Sequence, residues 1–332
     1  EQRTIQIGVD IPRVVDQALD ALMADDAIYQ RAGMLVHVVP PPPGISPIQR
    51  HPEAPILAAV TPAWLRERMV RVAVWQKQTA RGEWVPAIPP PWVTETLLDR
   101  RTWPFRPLTG VITAPTLRVD GSLLATPGWD AATGMLYQSA NGGIPVLPDA
   151  PTIDDAVGAI DVLAEPFAQF AFRSGDHSGL PAIIAAVLTL LCRHTIPGPI
   201  PMWAISAPVR GSGKTLLADC IGIIGTGRPP AKITPPENEE EARKRIMALA
   251  LAADPIVCVD NIERDFRSGA LSAAITSDEV RDRLLGRSEM VTAPWRSMVI
   301  ATGNNLAIRG DLTRRALLIT IDPQTEWPEA RT

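Results

Sequence analysis

The segment from Ser206 to Thr215 leaves this chain few choices of fold. It reads Ser-Ala-Pro-Val-Arg-Gly-Ser-Gly-Lys-Thr, and it lies between an apolar run that predicts a strand (residues 202–206) and a pattern that predicts a helix (residues 214–221). Glycines in such a loop let successive backbone N–H groups curl around a phosphate group, and the N-terminus of the following helix favours negative charge. Lys214 is then expected to reach the β and γ phosphates of ATP, and the Thr215 hydroxyl to hold Mg²⁺.

One residue of this loop departs from the usual pattern, because Pro208 stands where a first glycine is expected. The strand–loop–helix setting still favours phosphate binding, and the alternative is a plain loop without a ligand. The residues predicted to contact the nucleotide are Pro208, Val209, Arg210, Gly211, Ser212, Gly213, Lys214 and Thr215, with Asn261 further along the chain.

Strand and helix patterns alternate through the last third of the chain. Strands are expected at residues 202–206, 232–234, 255–260, 297–302 and 316–321, with a helix at residues 237–252 whose acids precede its bases. Strands joined by helical crossovers form mostly parallel sheets with helices on both faces. The expected fold class is therefore α/β, with a three-layer α/β/α core of the P-loop NTPase kind.

A second element of the expected site is the apolar run at residues 256–259, which ends in Asp260 and Asn261. An acid at the end of a buried strand that follows a phosphate-binding loop is placed to hold the water shell of Mg²⁺, which is the Walker B pattern. Most ATPases of this kind continue with a glutamate that polarises the attacking water, but here that place is Asn261. Glu263 is the candidate for the missing base, and the alternative is that it is a solvated loop acid.

Two further groups follow along the chain. The run Ala-Thr-Gly-Asn-Asn ends the next predicted strand, where the amide of Asn304 is placed to orient the attacking water, although Gly and Asn also favour a plain turn. Arg314 and Arg315 come just before the last strand and are expected to project towards the γ phosphate of a neighbouring subunit. The alternative is a pair of surface charges. Arg315→Ala is expected to depress turnover and leave ATP binding nearly intact, with Arg314 the next residue to check.

Residues 281–296 carry four arginines against one Asp and one Glu. We interpret this stretch as a hairpin that precedes the predicted strand at residues 297–302, with Val291 and Trp295 on either side of the turn of the hairpin. A ring of such hairpins would line a pore with positive charge, which the net charge of −4 conceals. An ordinary exposed loop is the alternative. The arginines predicted to contact single-stranded DNA are Arg281, Arg283, Arg287 and Arg296.

Proline clusters divide the rest of the chain. The expected domains are an N-terminal mixed α+β accessory domain at residues 1–145, a helical collar at residues 146–200 and an ATPase domain at residues 201–332.

Within the first two domains, helices are expected to open at Asp10 and Thr61, with a strand at residues 34–39 and a hairpin around the Asp-Gly turn at residues 120–121. The collar is expected to contain one helix over residues 153–172, kinked at Pro166, and a second over residues 180–194.

Composition excludes several classes of protein. With 46% hydrophobic and 20% charged residues, the chain has enough apolar side chains for a sizeable core and too few charges for a self-repelling disordered chain. The three cysteines and four histidines are scattered without metal-ligand spacing and are expected to be structural. The longest apolar run, at residues 183–192, is too short to span a bilayer, and no signal peptide is visible, so a cytoplasmic location without a membrane partner is expected.

With these residues in view, the chain resembles the replicative helicases of phages, plasmids and integrative elements, which are AAA+ ATPases related to superfamily 3 helicases and often joined to a primase. The resemblance is densest at residues 203–323, in the runs Arg-Gly-Ser-Gly-Lys-Thr, Val-Asp-Asn, Arg-Leu-Leu-Gly, Ala-Thr-Gly-Asn-Asn and Gly-Asp-Leu-Thr-Arg-Arg. It is weaker upstream, in Ala-Pro-Thr-Leu-Arg-Val-Asp-Gly and Pro-Gly-Trp-Asp.

This resemblance implies a homo-hexameric ring with ATP sites between subunits, a helical collar before the phosphate loop, and a hairpin that grips DNA in the pore. A primase or polymerase is an implied partner, although the chain itself shows no polymerase-type acidic cluster. By motif, Lys214 and Thr215 bind phosphate and Mg²⁺, Asp260 is the Walker B acid, and Asn304 is the sensor. Arg314 or Arg315 is then the arginine finger.

Three functions are compatible with these residues. The first is an ATP-driven helicase or translocase on single-stranded DNA, in the replication of a mobile element or phage. The second is an ATP-switched DNA-binding or loading module that does not unwind DNA, which the departure at Asn261 favours. The third is a small-molecule kinase, against which the paired arginines and the arginine-rich stretch argue.

Overall fold

The computed structural model describes residues 3–44, 46–138, 148, 150–175, 177–263, 265–283 and 289–324. These residues form a mixed α/β structure in two compact units. The smaller unit comprises Glu1–Val39 and Leu57–Leu108, and the larger unit comprises Pro40–Ile56 and Thr109–Thr332. Among the described helices, none is long and apolar enough to cross a membrane.

In chain order the strands are β1 Arg3–Ile7, β2 Tyr29–Arg31, β3 Met34–Val39, β4 Ile48–Gln49, β5 Ile56–Ala59, β6 Ala73–Gln78, β7 Trp84–Pro86, β8 Gly110–Ile112, β9 Thr116–Leu117, β10 Leu123–Leu124, β11 Gly128–Asp130, β12 Met135–Tyr137, β13 Met202–Ala207, β14 Ala231–Ile233, β15 Ile256–Ile262, β16 Glu279–Arg283, β17 Met290–Pro294, β18 Met298–Asn304 and β19 Ala316–Thr320. The helices are α1 Ile11–Leu22, α2 Pro62–Val72, α3 Pro91–Asp99, α4 Ile153–Ala164, α5 Gly179–Leu191, α6 Lys214–Thr226, α7 Glu239–Ala252 and α8 Gly269–Ala274, with 3₁₀ turns at Glu165–Phe167 and Gly310–Arg314.

The smaller unit packs three helices against two small sheets, ordered β1-β6-β7 and β2-β3-β5. Helix α1 begins where the sequence predicts, because the Asp10 side chain accepts a hydrogen bond from the backbone N–H of Arg13 at 3.2 Å. Thr61 caps α2 in the same way, from the N–H of Trp64. These predicted helix starts and the predicted strand β3 are confirmed.

The larger unit is built on a six-stranded sheet in the order β19-β13-β18-β15-β14-β4. All neighbouring pairs among the first five strands are parallel, which confirms the predicted strands and their predominantly parallel arrangement. The core strands are almost fully apolar, as strands covered on both faces are, and helices α5 and α6 share their hydrophobic cluster.

The sixth strand, β4, is not expected from the sequence. It comes from residues 40–56 and pairs antiparallel with β14, Ile48 with Ile233 and Gln49 with Lys232. Just beyond it, the Arg50 guanidinium forms two hydrogen bonds with the Asp254 carboxylate, at 2.8 and 2.6 Å. Both side chains are buried, so the pair holds this segment on the larger unit.

The division into units differs from the boundary expected at residue 145. Residues 109–138 belong to the larger unit, where the hydroxyls of Thr113 and Thr116 donate to the carbonyls of Thr226 and Leu191. The predicted hairpin around residue 121 is present within this segment as β9 and β10, with Gly121 at a φ of 83°.

The helical region before β13 is shorter than expected. Helix α4 opens with a capping box between Thr152 and Asp155, but it ends at Ala164 instead of continuing to residue 172. Pro166 explains the end, because it has no N–H to continue the hydrogen-bond ladder, and it sits in a 3₁₀ turn. The second helix, α5, stops at Leu191 rather than residue 194.

Candidate nucleotide-binding site

The loop between β13 and α6 has the backbone shape that phosphate binding requires. Gly211 and Gly213 have φ values of 72° and 86°, in the left-handed region that favours glycine. The Ser212 hydroxyl donates to the carbonyl of Val209 at 2.7 Å and closes the loop on itself. A Cβ atom at Gly213 would lie 3.2 Å from the ring of Phe170. A glycine-bent loop that leads into a helix N-terminus is an arrangement that favours an anion.

Lys214 points across this loop towards the end of β18. Its ammonium donates to Asn304 Oδ1 at 2.8 Å and to the carbonyl of Val209 at 3.1 Å. Burial lowers the pKa of Lys214 from its ordinary value, and the nearby Asp260 carboxylate opposes that shift. The structure therefore brings two predicted site residues from distant parts of the chain, Lys214 and Asn304, into direct contact.

Asp260 and Thr215 also meet, and they suit a magnesium ion. The Thr215 hydroxyl donates to Asp260 Oδ1 at 2.9 Å. Mg²⁺ prefers hard oxygen ligands and keeps several of its waters, so one hydroxyl and one carboxylate beside a phosphate-binding loop fit it well. When bound there, Mg²⁺ would neutralise charge on the phosphate oxygens.

Asn261, which stands in the place of the usual glutamate, and Glu263, the candidate base, are both exposed. The Asn261 amide donates to Glu263 Oε1 at 3.4 Å, and the Arg210 guanidinium lies 3.3 Å from the same oxygen. Glu263 lies at the edge of a cleft of about 650 Å³ between β15 and the start of α7. Its carboxylate is thus near the phosphate loop but engaged by Arg210.

Asn305 joins the end of β18 to the loop between β13 and α6. Its backbone N–H donates to the carbonyl of Ala207 at 2.9 Å, and its side-chain amide donates to the carbonyl of Pro208 at 3.4 Å. It adopts a φ of 46°, a conformation that asparagine tolerates better than most residues. Pro208, which stands where the first glycine is usual, therefore has its carbonyl hydrogen-bonded to Asn305, just after β18.

The two adjacent arginines have different surroundings. The Arg315 guanidinium donates to the hydroxyl of Ser272 on α8, and its side chain is half-buried. Arg314 ends the 3₁₀ turn that is anchored by the buried Leu312, and it is exposed. Of the two, Arg314 is the one that faces solvent and is open to a neighbouring molecule.

The predicted hairpin before β18 is present and is formed by β16 and β17. Arg281 and Arg283 are exposed on β16, whereas Arg287 lies outside the described residues. The expected position of the turn is wrong: Val291 to Pro294 lie within β17, and Trp295 is 3% exposed. One face of β17 is buried because alternate residues of the strand are apolar and pack against the core.

Arg296 is less available to DNA than predicted. It follows the hairpin strands, is half-buried, and lies 3.2 Å from Asp278 in an ion pair. Its charge is therefore partly neutralised within the chain.

No family model matches this chain, and no curated protein matches it. Solved structures that resemble it include a ligand-bound JCV helicase, at 16% identity over 50% of this chain and 52% of that chain with a TM-score of 0.29. A JCV helicase structure matches at 16% identity over 50% and 51% of the two chains, with a TM-score of 0.26. The C-terminal region of NrS-1 matches at 14% identity over 80% of this chain and 63% of that chain, with a TM-score of 0.33.

This chain thus spans about half the length of the JCV helicase chains that it resembles, 52% in the first case. Similarities of this size carry no argument about family or activity, so any functional assignment depends on the residues of the site.

Thr302, on β18, is a site residue that sequence reasoning missed. It is 1% exposed, and its hydroxyl donates to Asp260 Oδ1 at 2.6 Å. The available signal was a hydroxyl residue in an otherwise apolar buried strand, where a polar group requires a partner. Ser206, whose hydroxyl accepts the N–H of Leu306 at 3.0 Å, gives the same signal on β13.

Proposed function

We propose that this chain is an ATP-hydrolysing AAA+ motor that acts on single-stranded DNA in the replication of a mobile element or phage. The observation that carries this proposal is the meeting of Lys214, Thr215, Asp260 and Asn304 at the carboxyl ends of three neighbouring parallel strands. An ammonium, a hydroxyl, a carboxylate and an amide around a glycine-bent loop are the groups that ATP hydrolysis uses.

Each of these groups has a defined task in the proposal. Lys214 leaves its present partners, Asn304 Oδ1 and the Val209 carbonyl, and binds the β and γ phosphates. Thr215 and Asp260 hold Mg²⁺ through their oxygen atoms. Asn304, released from Lys214, is then free to hold the attacking water, and Glu263 accepts the proton of that water once its pairing with Arg210 opens.

The DNA part of the proposal rests on the hairpin. Arg281 and Arg283 alternate with Asp282 along an exposed strand, so two guanidinium groups lie on one face of the hairpin. In a homo-hexameric ring, six copies of this face would surround a pore and attract the phosphate backbone. A separate primase or polymerase as partner belongs to the same proposal.

A second function is favoured by one specific feature. Asn261 occupies the place of the usual glutamate, and an amide cannot accept a proton as a base does. If Glu263 does not replace it, ATP would bind and switch the assembly of the protein on DNA without driving unwinding. Measurement of DNA unwinding separates this loading module from a motor.

The ATPase rate with and without single-stranded DNA tests the proposed function. We expect the wild-type rate to rise strongly with DNA, and Lys214→Ala to lower it by about 10²–10³, the usual effect of removing one group that stabilises the transition state. Lys244→Ala, which removes an exposed lysine on α7, serves as the control and should hydrolyse normally. A wild-type protein that neither binds nor hydrolyses ATP would contradict the proposal, whereas hydrolysis without stimulation by DNA would favour the loading module.

The double replacement Arg281→Ala with Arg283→Ala is expected to weaken binding of single-stranded DNA and make it less dependent on salt. Each phosphate contact that is lost should reduce the slope of log affinity against log salt by about 0.7 for a single strand. Fluorescence anisotropy at several salt concentrations measures this slope. The charge-matched control is Arg3→Ala with Arg13→Ala in the smaller unit, and an equal loss in the control would show that only net charge matters.

A further inference from the structure

Strand β15 contains a bulge at its functional end. Val259 pairs with Ala301 and Ile262 pairs with Gly303, so two residues on β15 oppose only one, Thr302, on β18. The two residues opposite Thr302 are Asp260 and Asn261, and Asn261 has a φ of 60°. A bulge of this type bends a strand and re-aims its side chains. Here it determines where the Asp260 carboxylate points.

The Thr302 hydroxyl joins both residues of the bulge. It donates to Asp260 Oδ1 at 2.6 Å and accepts the backbone N–H of Asn261 at 3.2 Å. A hydroxyl has one hydrogen to donate and two lone pairs, so both bonds form at once. The bond from Asn261 replaces the strand-to-strand hydrogen bond that the bulge disrupts, and the bond to Asp260 fixes one carboxylate oxygen.

Asp260 Oδ1 therefore has two hydroxyl partners, Thr302 and Thr215, on neighbouring elements. Bonded twice, this oxygen is held in one orientation, and Oδ2 would be the oxygen available to a metal ion. Gly303 allows the close approach of the two strands, because a Cβ atom there would lie 2.5 Å from the carbonyl oxygen of Ile262. The bulge, Thr302 and Gly303 thus act as one positioning device.

We infer that Thr302 is a positioning residue for the magnesium site, which holds the Asp260 carboxylate in the orientation that binds Mg²⁺ with the nucleotide. This inference rests on the proposed function, because it takes the ligand of the loop to be Mg²⁺ with ATP. It assigns this task to a buried side chain on β18, whose hydroxyl bonds the same carboxylate oxygen as the Thr215 hydroxyl.

Binding of a fluorescent ATP analogue to the full chain, titrated with Mg²⁺, tests this inference without measuring turnover. Thr302→Val keeps the shape of the side chain and removes the hydroxyl. We expect it to raise the Mg²⁺ concentration needed for half-maximal binding at least about tenfold, as loss of a partner of a metal ligand usually does. Binding in EDTA should stay near wild type, because the phosphate loop is unchanged. Thr302→Ser restores the hydroxyl and should return Mg²⁺ dependence close to wild type.

The possible outcomes are distinct. An unchanged Mg²⁺ dependence in Thr302→Val, or a loss of binding that is equal with and without Mg²⁺, would overturn the inference and leave Thr302 a structural residue. If Thr302→Val does not fold, Thr302→Ala provides the same comparison without a second branched methyl group. Failure of both to fold would likewise show that the hydroxyl serves the core. A wild-type protein that binds no nucleotide even with Mg²⁺ would instead contradict the proposed function.

Discussion

Arg314→Ala is expected to lower ATP turnover by about 10³ or more while ATP affinity stays nearly unchanged, because an arginine finger stabilises charge that develops only in the transition state. Arg314 is the better candidate of the adjacent pair. Its side chain is exposed at the end of a 3₁₀ turn, whereas the Arg315 guanidinium is already bonded to Ser272 of its own chain. Steady-state hydrolysis together with equilibrium binding of an ATP analogue measures both quantities.

Arg315→Ala is the matched control, since it removes the same group one residue away. We expect it to affect turnover less than Arg314→Ala and to act mainly through the contact with α8. A larger effect of Arg315→Ala than of Arg314→Ala would identify Arg315 as the arginine finger, as the sequence alone leads us to expect.

Mixing two inactive variants tests whether the finger acts between subunits. Lys214→Ala retains Arg314, and Arg314→Ala retains an intact loop at residues 208–215. In the proposed ring, a mixture of the two variants would therefore have some interfaces with both wild-type groups. Activity should therefore appear on mixing and follow the ratio of the two variants. If no ratio restores hydrolysis although mixed rings form, Arg314 does not serve a neighbouring site.

The contacts of Lys214, Asp260 and Asn304 show which parts of such a site a sequence can predict. Each of these residues ends or follows a strand with a strong apolar pattern, and the carboxyl ends of parallel strands lie at one edge of a sheet. Once the strands are placed, the polar residues that follow them must come together. The hydrogen bonds of Lys214 with Asn304 and of Thr215 with Asp260 are a direct consequence of this topology.

The bulge at Asp260 and strand β4 show what the sequence could not predict. The bulge at Asp260 depends on the pairing of β15 with β18, two strands that are separated in the chain by a helix and a hairpin, and no local pattern marks it. Strand β4 has only two residues, Ile48 and Gln49, so it carries no period of its own. Strand β4 lies where it does because it pairs with the edge of β14 and because Arg50, just beyond it, pairs with the buried Asp254. Both β14 and Asp254 are distant from β4 in the sequence.

Helix α4 illustrates a third limit. The apolar pattern of residues 153–164 predicts helix correctly, but it does not show what the helix packs against, and no residue of α4 is buried. The periodicity also extends past Pro166, where the backbone cannot follow it. Hydrophobic spacing therefore located this helix and overestimated its length.

Removal of one partner of the Arg50–Asp254 pair is expected to destabilise the larger unit strongly. The two side chains are 9% and 6% exposed, and their two hydrogen bonds join residues 204 positions apart. Burial raises the pKa of Asp254, and Arg50 opposes that shift. In Asp254→Asn the Arg50 guanidinium keeps its charge in a buried place, which should reduce the free energy of unfolding by about 3–5 kcal/mol.

A double-mutant cycle separates the lost pair from the penalty of a lone buried charge. Arg50→Met with Asp254→Leu replaces both partners by apolar groups, and we expect it to be more stable than either single variant, because neither charge is left uncompensated. The control is Asp265→Asn, which breaks an Arg–Asp pair in the same unit whose side chains are both 60% exposed. That change should cost less than about 1 kcal/mol. Urea denaturation of the full chain measures Asp254→Asn, Arg50→Met, Asp254→Leu, the double variant and Asp265→Asn. A loss for Asp254→Asn no larger than for Asp265→Asn would show that residues 40–56 are not held on the sheet by this pair.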